Sequence, residues 1–465
     1  MPTECSLDRM EFAAAEGRAG VAAFDGGTIT SDAGALLLGA TDRAIDLVRR
    51  FAACFVDHRA TDQIEHQVAT LIGQRVFALA LGYEDLVYHD QLRHDPVLAA
   101  VTGKLSARRA GCAPLAGKST LNRLEHAPAG TPTRDHKIGH DAGLIERLFV
   151  DLFLDAPATA PAQLVLDLDA TDDPIHGVQE GRFFHGYYRC YCYLPLSVFC
   201  GDPLLATKLR RSSSDASAGA VEEVARIVTQ IRARWPQVRI VLRADSGFAR
   251  EVLMVWCEAN RVDYVFGLAG NSRLVGEIAA ELALARAAAE ETGKAARCFK
   301  DFRYQTLDSW SRERRFVGKA EQLVAGDGAP SANPRFVVTN LMAEVWTAPA
   351  LDERLYCARG EMENRIKECQ LDLFADRTSA GTMRANQLRL WFASMAYLLL
   401  AALRRIGLQA TRLARATSGT IRLRLLKIGA LVRVSVRRVT VAIASGHPWQ
   451  RDWASAHAAL VAAAS

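Results

Sequence analysis

Twice in this chain an apolar strand pattern ends in acid, and that repetition restricts the fold more than any other feature. "QLVLDLDATDD" (163–173) carries Asp167, Asp169, Asp172 and Asp173 at the close of what otherwise reads as a buried strand. "VRIVLRADSGF" (238–248) places Asp245 at the corresponding end of another. In open mixed sheets the carboxyl ends of strands border the crevice where sites are built. Carboxylates gathered there repel one another unless a cation lies between them. Mg²⁺ or Mn²⁺, hard and oxygen-seeking, suits such a pair.

The surrounding order supports this placement. "QLVLDLD", "RCYCYLPLSVFC" and "PLLATKLRRS" read as three strands, "AGAVEEVARIVTQIRARW" as an amphipathic helix, "VRIVLRAD" as a strand, "REVLMVWCEANR" as a helix and "DYVFGLA" as a strand. Strands joined by short turns, then strands alternating with helices, predict a mixed α/β sheet covered by helices. The order resembles a ribonuclease-H-like fold, in which the first and fourth strands lie side by side. We expect that core at 160–270 and 350–405, with an inserted β-rich segment at 295–345 ("FRYQTLDSW", "ERRFVGKAEQLV", "RFVVTNL", interrupted by the polar "AGDGAPSANP"). Residues 1–150 read as a mainly helical N-terminal domain. There Ile64, Val68, Leu71, Ile72, Val76 and Leu79 form one stripe and Gly82 a natural stop. Residues 406–465 form a basic C-terminal region.

Half the residues are hydrophobic and 23% charged, which fits a globular protein with an ample core. The start, "MPTECSLDRMEF", has no apolar h-region, so no secretory signal is expected. "LWFASMAYLLLAAL" (390–403), flanked by Arg389 and Arg404, is too short to span a bilayer and suits a buried helix. Ten scattered cysteines predict free thiols in a reducing, cytoplasmic setting. The net charge is only +5, but from Arg377 to Arg451 there are fourteen Lys or Arg residues and no acid. That stretch is either a polyanion-binding face or a solvated one that balances acids elsewhere. Within it, "IRLRLLKIGALVRVSVRRVTVAI" (421–443) alternates like a strand and puts Arg422 and Arg424 on one face.

Three further patterns carry candidate residues. In "YCARGEMENRIKE" (356–368) and just beyond it, Tyr356, Arg359, Glu363, Lys367 and Gln370 recur at spacings of three and four and share a helix face. An acid flanked by a phenol, a guanidinium and an ammonium can meet a metal and a phosphate together; a surface helix with i, i+4 ion pairs has the same pattern. "GCAPLAGKST" leaves five residues between Gly111 and Gly117 where a phosphate loop needs four, so no nucleotide cofactor is expected. The same residues read better as the start of a helix at Ser119 or Thr120 presenting Lys118, Asn122 and Arg123 to DNA, or as a plain capped helix. His185, Cys190, Cys192 and Cys200 lack paired zinc spacings and read as part of a strand with buried thiols.

With these residues in view, the chain resembles bacterial insertion-sequence transposases of the DDE class. "LDLDATDD" is similar to their first aspartate motif, "LRADSGF" to the second, and "YCARGEMENRIKE" to their signature helix. "GYEDLVYHDQLRHDP", "QEGRFFHGYY" and "RANQLRLWFASMAYLLL" extend the likeness to the insertion sequence 1380 group across nearly the whole chain. The resemblance implies a catalytic and metal-binding triad of Asp169, Asp245 and Glu363, two Mg²⁺ or Mn²⁺ ions, and hydrolysis followed by transesterification of DNA. Asp167 is the rival to Asp169, while Asp172 and Asp173 are expected to shape the turn. The family's Lys seven residues beyond the Glu is Gln370 here, with Lys367 one turn earlier as the substitute. Implied partners are double-stranded DNA, as terminal inverted repeats and target, and a second copy of the chain in the active complex. Trp310 in the inserted strands is either a base-stacking residue, as in some relatives, or core. Two other readings are the alternatives: another ribonuclease-H-like nuclease, which would lack the inserted strands and the Tyr, Arg, Glu helix, and an inactive DNA-binding protein of the same fold, which would be expected to have lost at least one of the three acids.

Overall fold

The structure, a computed structural model, describes residues 10–130, 133–134, 136–324 and 330–464. It divides into two compact units, one of residues 128–130 and 140–394, the other of 1–127, 131–139 and 395–465.

The first of these units is built on a nine-stranded mixed sheet. Its strands are β1 (Gln163–Ala170), β2 (Leu196–Phe199), β3 (Leu204–Lys208), β4 (Arg239–Ala244), β5 (Asp263–Leu268), β6 (Ala296–Tyr304), β7 (Arg314–Leu323), β8 (Ser331–Ala332) and β9 (Arg335–Thr339). The order is β3-β2-β1-β4-β5-β9-β7-β6, with β8 pairing on β7. β1, β4 and β5 run parallel, and β2 is antiparallel to β1. β1 and β4 are therefore neighbours, as the strand count predicts.

Their apolar side chains, including Leu166, Leu168, Ile240 and Leu242, enter one large core with the buried stripe Val224, Ile227, Val228 and Ile231 of α1 (Ala220–Arg234). That helix opens with Glu222 and Glu223 and closes with Arg232 and Arg234, which complements its dipole. The 295–345 segment forms four antiparallel strands, the three longer ones β6, β7 and β9 and the short β8, that continue the main sheet beyond β5. Part of its polar loop, 325–329, lies outside the described residues.

One expected strand is two. "RCYCYLPLSVFC" breaks at Pro195, which has no N–H to donate to a ladder. Cys190–Tyr193 joins a small three-stranded sheet with Asp173–Pro174 and Phe183–His185, while β2 enters the main sheet.

In the other unit, helices Ala35–Ile45, Leu47–Ala52, Val68–Ala80, Pro96–Val101 and Lys118–Glu125 accompany a C-terminal helix, Gln450–Ala463. Val68–Ala80 is buried without a break from Leu71 to Ala80, so its pattern is that of a core helix; Ile64 precedes it, after a short 3₁₀ turn. The C-terminal region does not stand apart, because Ala430–Val434 pairs with Ile29–Thr30 and Ala33 donates to the Ile428 carbonyl. The strand read from Ile421 begins only at Ala430. Arg422–Leu426 is a wide helical turn continuing Ser418–Ile421, because Ile421, Leu425 and Leu426 are buried at helical spacing.

Among the described residues one helix, Met383–Gly407, is long and apolar enough to cross a membrane, and its most apolar window is 83% buried, as in a core helix. The nine described cysteines are free.

Candidate active site

The parallel register of β1 and β4 pairs Leu168 with Ala244, which brings Asp169 and Asp245, each one residue further on, to adjacent strand ends. Asp169 is 8% exposed. Burial pushes its carboxyl above the usual range, and the Asp245 charge adds to that push. The Thr171 hydroxyl and the Arg359 guanidinium oppose it. Thr171 donates to Asp169 Oδ2, and Arg359 Nη1 donates to Oδ1 at 3.0 Å. Asp245 caps the turn Ser246–Phe248, accepting the Gly247 N–H at 2.9 Å.

Arg359 belongs to the segment 351–372, where the helix changes pitch repeatedly. Leu351–Tyr356 is wide, Cys357–Arg359 is 3₁₀, Gly360–Lys367 is α-helical and Glu368–Asp372 is wide again. The tight turn keeps Tyr356 and Arg359 three apart on one side, and the α-turn keeps Arg359 and Glu363 four apart. Arg359 Nη2 donates to Glu363 Oε1 at 2.8 Å, so a single guanidinium joins Asp169 to Glu363. Asp245 and Tyr356 stand near enough to raise the Arg359 pKa as well. Tyr356 reaches β5, where a Cβ on Gly267 would overlap its hydroxyl. Gln370 turns inward and donates to the Asp172 carbonyl at 3.0 Å, while Lys367 stays exposed.

Asp167, the rival, is otherwise occupied. Buried Arg243 on β4 grips it through Nε at 2.5 Å and Nη2 at 2.7 Å, and donates to the Leu355 carbonyl at 2.6 Å. This pair anchors β1 and β4 to the Tyr356 segment. A charged residue inside the apolar "VRIVLRAD" was its one sequence signal, since a buried guanidinium needs a buried partner.

Among the described residues no three His, Cys, Asp or Glu side chains are placed to share one metal ion. The donor chemistry nevertheless fits a hard divalent cation: Asp169 and Glu363 both pair with one guanidinium, Asp245 lies near enough to feel its charge, and Asp169 and Asp245 are held by the backbone at neighbouring strand ends. Arg359 supplies that charge here.

Other candidates lie elsewhere. Helix Lys118–Glu125 starts at Lys118, after Gly117; Lys118 pairs with Asp90 at 3.2 Å, and Asn122 and Arg123 are exposed. Trp310 is core and not a free stacking surface: it is 7% exposed and lies 5.6 Å from the Phe316 ring and 5.4 Å from the Arg314 guanidinium. Its apolar neighbours on β7 outcompete solvent for the indole. Arg422 does not share a strand face with Arg424; it donates to the Ala80 carbonyl at 3.0 Å. Arg424 is exposed and lies over the Trp449 ring at 4.5 Å.

Sequence reasoning missed Tyr188, whose hydroxyl donates to the Ala170 carbonyl at 3.3 Å. Burial, then Asp172, Asp169 and Asp245, push its phenol up to about 12.

A family model described as transposase DDE domain, group 1, matches residues 12–465. No curated protein matches the chain.

Proposed function

The chain belongs to the DDE-domain transposase family, and from that membership we propose that it cleaves DNA at transposon ends and joins them to a target, using Asp169, Asp245 and Glu363. The observation that carries this reading is the Arg359 bridge between Asp169 and Glu363, beside an Asp245 delivered by the neighbouring parallel strand. The strand order, with an antiparallel β2 and parallel β1, β4 and β5, supports a ribonuclease-H-like core. The quoted motifs support the insertion sequence 1380 group.

The three carboxylates would hold Mg²⁺ or Mn²⁺, which when bound supplies an activated attacking oxygen and charge for the leaving one. The chain's own residues prepare that site. Thr171 and Arg359 fix the two oxygens of Asp169 in different directions, and the Gly247 N–H orients Asp245. Arg359 can release carboxylates to a metal and turn to a phosphate, for which its forked donors are suited. Lys367, exposed one turn beyond Glu363, offers a further cation to the DNA backbone. The partners under this reading are terminal inverted repeats, target DNA and a second copy of the chain.

Replacing Asp169 or Asp245 by Asn, or Glu363 by Gln, keeps shape and removes the charge that holds the metal. Each variant is expected to lose strand cleavage of a terminal-repeat duplex by about 10²- to 10³-fold, the scale of a lost charge-stabilising group, while duplex binding stays within a few-fold. Asp169→Asn that cleaves normally, with Asp167→Asn inactive and stably folded, would reverse the assignment.

A further inference from the structure

The hairpin next to the carboxylates is more aromatic and more exposed than its place in the fold requires. Phe183–His185 pairs with Cys190–Tyr193, so that Phe184 stands opposite Tyr191, the rings 5.4 Å apart and edge to face. Arg182 lies 3.7 Å above the Tyr191 ring. In the connecting turn, Tyr187 is 84% exposed and meets Tyr188 edge-on at 5.0 Å, and the His185 ring lies 4.8 Å from that of Tyr188. Arg189 holds the turn in a left-handed conformation, φ 56°, its N–H on the His185 carbonyl. Only the far side of the hairpin is core, through Cys192 and Tyr193.

We infer that this hairpin is a stacking surface for unpaired nucleobases at the DNA end that the carboxylates engage. Three observations converge on that occupant. Tyr188 ties the turn to the Ala170 carbonyl, the residue after Asp169, and its phenol feels the charges of Asp169 and Asp245, which sets the Tyr187–Tyr188 turn next to the acid-bearing strand end. The exposed cations Arg182 and Arg189 bracket the aromatic run 183–188, the combination that binds single-stranded nucleic acid: rings stack on bases and guanidinia follow phosphates. The rings already cluster at 4.8 to 5.4 Å, so little side-chain freedom remains to be lost when a base arrives. Tyr187 and Phe184 are positioning residues under this inference, and touch no reacting atom.

The inference rests on the active-site reading above, so its test measures binding preference and not cleavage. In the Asp169→Asn chain, affinity is measured for a blunt terminal-repeat duplex and for the same duplex with its terminal base pairs mismatched. The mismatched end is expected to bind about tenfold tighter, the contribution of roughly one stacked base. Adding Phe184→Ala and Tyr187→Ala should abolish that preference and leave blunt-duplex affinity within twofold, whereas Tyr187→Phe keeps it. Equal loss on both duplexes would make the hairpin a general support or a contact with a second copy, and an unchanged preference would place unpaired bases elsewhere; either overturns the inference. Failure of the active-site reading would show instead as normal cleavage by Asp169→Asn.

Discussion

Asp173 lies four residues beyond Asp169, is 1% exposed, and neither of its oxygens makes a full hydrogen bond. Burial pushes its carboxyl well above the usual range, and Asp376 and Asp172 add to the push. The nearby Thr378 hydroxyl offsets only part of it. The sign of the consequence follows from linkage. The unfolded chain releases this proton near pH 3.8, the folded chain only at higher pH. Stability is thus fully kept below that value and falls as pH climbs towards the raised one, by at most about 1.4 kcal/mol per pH unit. Asp173→Asn removes the ionisation and keeps the shape. Its melting temperature should exceed that of the wild type at pH 7 and converge with it near pH 4. A variant less stable by the same margin at both pH values would show that the carboxylate is needed for packing. Four aspartates in seven positions could be narrowed by motif but not given separate roles from sequence. Whether each meets Arg359, Arg243 or nothing depends on the neighbouring strand and on a helix nearly two hundred residues away.

At the scale of elements, periodicity located most strands and helices of the mixed sheet, because burial on one or both faces writes itself into hydrophobic spacing. It could not see Pro195 dividing a strand between two sheets, nor the 3₁₀ and wide turns of 351–372, since local pitch depends on what the helix packs against. Gly267 shows what that packing demands. β5 passes so close to the signature segment that a methyl group there would overlap the Tyr356 hydroxyl. Gly267→Ala should push the segment outward, costing about 1–3 kcal/mol as overpacking does. Because Arg359 lies three residues beyond Tyr356, cleavage should fall further than the stability loss alone explains. Tyr356→Phe relieves the hydroxyl overlap, so the double variant should recover part of the lost melting temperature, measurable by thermal unfolding. No recovery would mean that the backbone at Gly267, and not its clearance, is what matters.

For the whole molecule, the long acid-free stretch ending at Arg451 was legible as charge but not as a surface. Folding spends several of its cations internally. Arg412 pairs with Asp452, Arg404 donates to the Ala416 carbonyl, Arg422 to that of Ala80, and Lys427 pairs with Asp32. Others project on the hairpin Ala430–Val434 and Val439–Ile443, where Arg433, Arg437 and Arg438 are exposed with no ion pair among the described residues and Val436 at the tip is fully exposed. Phosphate contact through such residues releases condensed counterions, about 0.9 in log-log slope per phosphate neutralised on duplex DNA. Arg437→Ala with Arg438→Ala should therefore lower the salt slope of duplex binding by roughly 1 to 2. The change should be alike for terminal-repeat and unrelated duplexes, because phosphate contacts position a protein without reading bases. Arg422→Ala should leave the slope alone and lower the melting temperature instead, since it strips a donor from a backbone carbonyl inside the fold. A salt series on these two variants separates a DNA-binding hairpin from a solvated one: an unchanged slope in the Arg437, Arg438 pair would place the phosphate path on another face.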